Sequence, residues 1–144
     1  MSTTVLEQTL RTVPFVAQLG IRVEEAGPGH AVLRMPFADA VTQHGGALHT
    51  GAIFTLGELA AGVAVGTHPE LGRMVHLRKS VKIKYFLQAT ADVTAHAAVA
   101  PEAAAAVHAA PAGSTPRVDL PVKVLDGHGH DVAELIVSFA FRKK

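Results

Sequence analysis

The spacing of apolar and polar positions divides the chain into a few clear elements. Residues 5–13 place Val5, Leu6, Leu10 and Val13 at helical intervals, and Pro14 stops the run, which predicts a short N-terminal helix. Residues 21–25 and 31–36 flank Gly27-Pro28-Gly29 and predict a hairpin. The glycine-rich segment TQHGGALHTG has loop composition. It leads into GAIFTLGELAAGVAVG, a proline-free run that is apolar nearly all round and predicts a buried helix ending near Gly66. The many small residues in this helix (Gly57, Ala60, Ala61, Gly62, Ala64) allow other backbone to approach closely.

From Met74 the period changes from helical to alternating. His76, Arg78, Ser80, Lys82 and Lys84 fall on one parity, and Val75, Leu77, Val81, Ile83 and Tyr85 on the other, with Lys79 breaking the pattern. The expected result is a long strand with a wet face and a dry face. Residues 92–99, 117–125 and 132–141 predict further strands, the last two joined by the turn sequence Asp126-Gly127-His128-Gly129. Between them, Pro101 opens an alanine-rich helical stretch and residues 111–116 form a loop. One antiparallel sheet around one central helix is an α+β architecture. No repeat or linker divides it, so residues 1–144 are expected to form one domain.

Composition narrows the functional classes. The chain carries 13 Lys+Arg against 12 Asp+Glu, a formal net charge of +1, without the basic excess of a dedicated nucleic-acid binder. It has no cysteine, which removes disulfides, thiolate metal sites and a cysteine nucleophile. The start, MSTTVLEQTLRTVPF, lacks the basic-then-apolar pattern of a secretory signal. The apolar run from Gly51 to Val65 is interrupted by Thr55 and Glu58 and is short for a bilayer span. A soluble, cytoplasmic protein without membrane or nucleic-acid partners is expected. The nine histidines include His128/His130 and His44/His49, but no third ligand at suitable spacing completes either set, so no metal is expected.

Glu58 is the residue hardest to explain structurally. It lies in the middle of the apolar helix with no Lys or Arg three or four residues away. A carboxylate buried without a partner is costly, and the alternative is a narrow exposed stripe. Gly51, Thr55, Glu58 and Gly62 do fall on one side of the helix, a small and polar stripe that leaves room for a partner backbone or a substrate. The expectation is a carboxylate held in an apolar interior, and beside such room it is a candidate general base or nucleophile. At the helix start, the Thr50 and Gly51 amides suit a developing oxyanion. Gln43 in the preceding loop can orient a water or a carbonyl.

The residues Gln43-His44-Gly45-Gly46-Ala47-Leu48-His49-Thr50-Gly51 and Phe54-Thr55-Leu56-Gly57-Glu58 resemble the signature of hotdog-fold acyl-CoA thioesterases. The branch is that of the 4-hydroxybenzoyl-CoA and phenylacetate-pathway enzymes. His49-Thr50-Gly51 stands where that family has His-Gly-Gly, with Thr50 replacing the first glycine. The alternative register at His44-Gly45-Gly46 would put Ile53 at the acid position and fails. The strand around residues 80–89 also matches, whereas residues 101–116 look like an insertion present in only some relatives.

The resemblance implies a hotdog fold and thioester hydrolysis, with Glu58 as base or nucleophile, an oxyanion hole at Thr50 and Gly51, and Gln43 as orienting amide. His49 would support the loop or contact the thioester. Thr55 would face the substrate. Arg78, Lys79, Lys82 and Lys84 would meet coenzyme A phosphates, unless they form only a solvated strand face. The family pattern puts donors and acid of one site on different subunits, so it implies a dimer at least and a homotetramer, a dimer of dimers, as the full assembly. No cofactor is implied beyond coenzyme A within the substrate. Two other readings differ in class. A hotdog dehydratase or hydratase would use His44 with Glu58, although its proline-rich loop is missing. A non-catalytic acyl-CoA-binding protein would have no need of Gln43 and Glu58 together.

Overall fold

The computed structural model describes residues 2–144, so only Met1 of the N-terminal segment read above lies outside the described residues. Helix α1 (Thr3–Arg11) and the short α2 (Pro14–Ala17) precede the hairpin β1 (Arg22–Ala26) and β2 (His30–Met35). Pro14 both ends the first helical run and opens α2 at its first position, where its missing N–H is not needed. The central helix α3 spans Thr50–Thr67. It is followed by β3 (His76–Tyr85), β4 (Val93–Ala98), α4 (Pro101–Ala109), β5 (Arg117–Leu125) and β6 (Asp131–Phe141). Single 3-10 turns at Asp39–Val41 and Leu71–Arg73 lie on either side of α3.

The six strands form one antiparallel sheet in the order β1-β2-β4-β5-β6-β3. The chain therefore leaves β2 near one edge, passes through α3, and resumes at the opposite edge with β3. Residues 117–121 of β5 extend beyond the pairing with β4, so Pro121 costs no ladder bond on that side. Asp126 closes the β5–β6 turn by accepting from the backbone N–H of His128 and His130, both at 2.9 Å. These amides, His130 first, hold its carboxyl below the usual range.

One face of the sheet wraps α3. Leu33, Val93, Leu120, Leu135, Val137 and Phe139 are buried there against Ile53, Leu56, Ala60 and Ala64. Packing is close where the helix lacks side chains. A Cβ added at Gly57 would lie 2.6 Å from Leu135 Cδ1, and one at Gly72 would collide with the Gly66 carbonyl oxygen. At 18 residues α3 is longer than the apolar run read from the sequence and reaches bilayer-spanning length, but half of it is buried inside the protein as a core helix.

No residue of α1 is fully buried. Leu6 and Leu10 pack on the core from outside, and Glu7 ties the helix to β1. Its Oε1 accepts from Val23 N at 2.9 Å and Arg22 Nε at 3.0 Å, while Oε2 lies 3.3 Å from Arg11 Nη2. The Val23 amide first, then the two guanidinium groups, hold the Glu7 carboxyl below its ordinary value of 4.5, although burial opposes them.

Candidate functional site

The loop before α3 is shaped by Gly45 and Gly46, whose φ values of 100° and 84° belong to the left-handed region. The Gln43 amide donates to Ala47 O at 2.8 Å, and Gly46 N donates to Gln43 O at 3.1 Å. This tight turn brings the Gln43 side chain to the helix start, where its Oε1 accepts from Thr50 N at 3.4 Å. His49 is the N-cap residue: its Nδ1 accepts from Gly51 N at 2.8 Å, which puts the proton of the neutral ring on Nε2. Both amides expected to be free for an oxyanion are thus engaged within the chain, Thr50 weakly and Gly51 well. Thr55 also spends its hydroxyl internally, donating to Gly51 O at 2.9 Å.

Glu58 lies further along the same helix. With 32 % of its side chain exposed it is neither deeply buried nor free in solvent, so the expectation of a carboxylate held in an apolar interior is corrected to a half-buried one. The stripe read from the sequence is real: Gly51, Thr55, Glu58 and Gly62 all remain accessible while Ala52, Ile53, Leu56, Gly57, Ala60 and Ala61 are buried. An ion pair within the helix is absent, as expected, but the sheet supplies a cation. Arg78 Nε on β3 stands 3.9 Å from Glu58 Oε1, and the guanidinium carbon sits 5.6 Å from the Phe139 ring centre. Gly62 makes this possible, because a Cβ there would collide with Arg78 Nη2.

Sequence alternation placed Arg78 on the same wet face as Lys82 and Lys84, and the structure separates them. A β-bulge between Arg78 and Ser80 shifts the register. Before it, His76 and Arg78 pair with the buried Phe141 and Phe139 and face the helix. Beyond it, Val81, Ile83 and Tyr85 face the helix, whereas Ser80, Lys82 and Lys84 point to the outer face beside Ser138, Ile136 and Glu134. Val75 and Leu77, expected on the dry face, are 53 % and 62 % exposed. Lys79 is exposed in the bulge, and its break in the alternation was the signal of the re-aimed Arg78.

Two concavities adjoin the α3 stripe. At the helix start, Gln43, Thr50 and Ile53 meet Tyr85, Phe86 and Leu87 around a hollow of about 230 Å³. Tyr85 donates its hydroxyl to Thr50 O at 3.2 Å. Beyond Glu58, a cleft of about 730 Å³ opens between α1, the β1–β2 turn and α3. Leu6, Leu10, Leu59 and Val63 line it, together with Gly62 and Arg78. Neither the cleft nor the contribution of Tyr85 was read from the sequence, because both depend on segments distant in the chain. Among the described residues, no three His, Asp or Glu side chains gather as a metal site would require.

The single antiparallel sheet wrapped on a central helix, with the stripe and loop at its surface, is the hotdog fold. The chain belongs to the DUF4442 family, a domain of unknown function, whose family model matches residues 3–139. No curated protein matches it. Among solved structures it is similar to a Pseudomonas aeruginosa protein of unknown function described as a probable thioesterase. Identity is 26 % over all of this chain and 97 % of that one, with a TM-score of 0.84. It is also similar to a mutant of the phenylacetic acid degradation protein PaaI from Thermus thermophilus, 26 % identical over 90 % of this chain and 98 % of that one, TM-score 0.66. A Staphylococcus aureus thioesterase mutant, 19 % identical over 90 % of this chain and 99 % of that one with TM-score 0.71, shares the fold.

Proposed function

We propose that this protein hydrolyses an acyl-CoA thioester to the free acid and coenzyme A. The observation that carries the reading is Glu58: the one acid of α3, set on its accessible stripe between the helix start and an apolar cleft. The description of a similar structure, 26 % identical, as a probable thioesterase supports it. In the reaction, oxygen bonds to the thioester carbonyl carbon, the C–S bond breaks, and the departing thiolate takes up a proton. Glu58 removes that proton from the attacking water or attacks the carbonyl itself, with water then cleaving the anhydride. Repeated turnover in ¹⁸O-water detects direct attack, since only an anhydride opened by water at the Glu58 carbonyl puts the label into the Glu58 carboxyl.

Helix geometry argues for a dimer. Thr50 and Glu58 are eight residues apart, about 12 Å along the axis, so one helix cannot supply both the oxyanion donors and the acid to the same carbonyl. In the proposed homodimer, Gln43, Thr50 and Gly51 of one chain face Glu58 of the other, with His49 holding the donor loop through Gly51. A thioester oxygen accepting from Thr50 N displaces Gln43 Oε1, which accepts only a long bond there, and the freed Gln43 amide orients the thioester or water. The exposed β3 edge and the half-exposed Tyr85, Phe86 and Leu87 offer a surface for this pairing; a dimer of dimers is the expected full assembly. Of the four basic residues, Arg78 belongs with Glu58. Lys82 and Lys84 face away from α3, and this reading gives them no part in the reaction. A cytoplasmic location and independence from metals complete the proposal.

The test is thiol release from a panel of acyl-CoA thioesters by wild type and Glu58→Gln. Turnover that falls about a hundredfold or more in the variant supports the reading, a magnitude typical of general-base loss. Full activity in Glu58→Gln, or binding of every thioester without turnover, refutes it, the latter in favour of a binding protein.

A further inference from the structure

Between the Glu58 carboxylate and the apolar cleft stands one charged group. Along α3 the order is Glu58, then Gly62 with the Arg78 guanidinium lying over it, then Val63 and Gly66 within the cleft. The cleft is otherwise apolar in its side chains except for Thr67, whose hydroxyl already donates to Val63 O at 2.8 Å and accepts from Gly29 N at 3.2 Å. Arg78 is the sole charged side chain in its lining. Its guanidinium is loosely held: Glu58 at 3.9 Å is beyond hydrogen-bond range, Phe139 offers only its ring face, and among the described residues no protein acceptor takes an Arg78 hydrogen bond. A cation with spare donors at the head of an apolar cleft is poorly matched to a plain hydrocarbon acyl group, which would cover those donors without replacing their water.

We infer that the thioester cleaved at Glu58 carries an oxygen substituent on the third acyl carbon, hydroxyl or oxo, followed by an apolar tail. The inference rests on the hydrolysis reading above and names its substrate class. With the carbonyl at Glu58, a third-carbon oxygen falls within the roughly 6 Å that four residues of helix span between Glu58 and Gly62, and it accepts from Arg78. The tail continues past Val63 beneath Leu6 and Leu10. A short acyl group ending in a carboxylate would satisfy Arg78 but leave the cleft empty. An unsubstituted chain would fill the cleft but leave Arg78 unmatched.

The experiment compares kcat/KM for 3-hydroxyoctanoyl-CoA, octanoyl-CoA and succinyl-CoA in wild type, Arg78→Met and Gly62→Ala. In wild type the 3-hydroxy substrate is expected to exceed octanoyl-CoA by about tenfold or more, the usual scale of a hydrogen bond to a charged group. Arg78→Met should bring that ratio to within about twofold, and Gly62→Ala, by displacing the guanidinium while leaving Arg78 in the sequence, should lower it in the same direction. No wild-type preference for the 3-hydroxy substrate, a preference for succinyl-CoA, or an equal fall for both octanoyl substrates in Arg78→Met each overturns the inference. The last of these would make Arg78 a positioning partner of Glu58 alone. Those three outcomes leave hydrolysis standing; absence of thiol release from all three substrates overturns the inference, and hydrolysis falls with it only if the whole acyl-CoA panel is also inert.

Discussion

The two faces of α3 share one backbone and differ in almost everything else. Ala52, Ile53, Leu56, Gly57, Ala60, Ala61 and Ala64 are sealed against the sheet, and their sizes are dictated by what they touch. Gly51, Thr55, Glu58 and Gly62 stay accessible, and apart from the room Gly62 leaves for Arg78 the core does not dictate them. The sealed face accounts for stability; the open one is where a requirement from outside the chain must be sought. A residue whose loss harms one property and spares the other sharpens that division, and a residue that harms both equally breaks it.

The largest effect is expected at Glu58. Glu58→Ala should lower thiol release by about 10²–10⁴-fold. Because the pair with Arg78 is loose and partly exposed, denaturant stability should shift by less than about 1 kcal/mol. Leu56→Ala, two positions away on the sealed face, should do the reverse: about 2–5 kcal/mol of stability lost in urea melts, with turnover per folded molecule retained to within about tenfold. Parallel losses of rate and stability in either variant would erase the distinction. At the helix start, His49→Ala removes the cap on Gly51 and should cost about 1 kcal/mol. It should also lower kcat more than it raises KM, read from saturation curves.

The smallest effect concerns the roof of the cleft. The Glu7 carboxyl is held below 4.5 in the folded chain, so the tie between α1 and β1 is fully present above that value and weakens as pH falls through the lowered folded value. Amide protection across residues 3–11, corrected for intrinsic exchange, should therefore drop at acid pH before protection in α3 does. Glu7→Gln should show the weaker protection already at neutral pH. Unaltered α1 protection in that variant would mean that Leu6 and Leu10 hold the helix without the tie.

Much of the architecture was legible because period and punctuation agreed. The alternation of residues 117–125, the Gly27-Pro28-Gly29 turn and the all-apolar α3 each admitted one element, and each formed within a residue or two of its expected bounds. The stripe on α3 was legible for the same reason, since helical spacing alone puts Gly51, Thr55, Glu58 and Gly62 together. Arg78 was not, because alternation assumes an unbroken ladder and one extra residue at Lys79 inverts it. The burial of Glu58 was overread: an apolar neighbourhood in sequence leaves open which side of a helix the sheet covers. The cleft was out of reach because its walls come from α1, a hairpin turn and α3, whose approach no local pattern encodes.

The bulge in β3 exchanges hydrophobic burial for charge. An uninterrupted ladder would have carried Val75 and Leu77 onto α3, and each such side chain contributes about 1.5–3 kcal/mol when sheltered from water. This chain leaves both in solvent and turns His76 and Arg78 inward instead. A molecule optimised for robustness alone would gain by swapping the apolar and polar positions of residues 75–78. A reversal of hydropathy over four positions at the head of an edge strand thus becomes a mark by which the same inward guanidinium can be sought in other sequences of this shape.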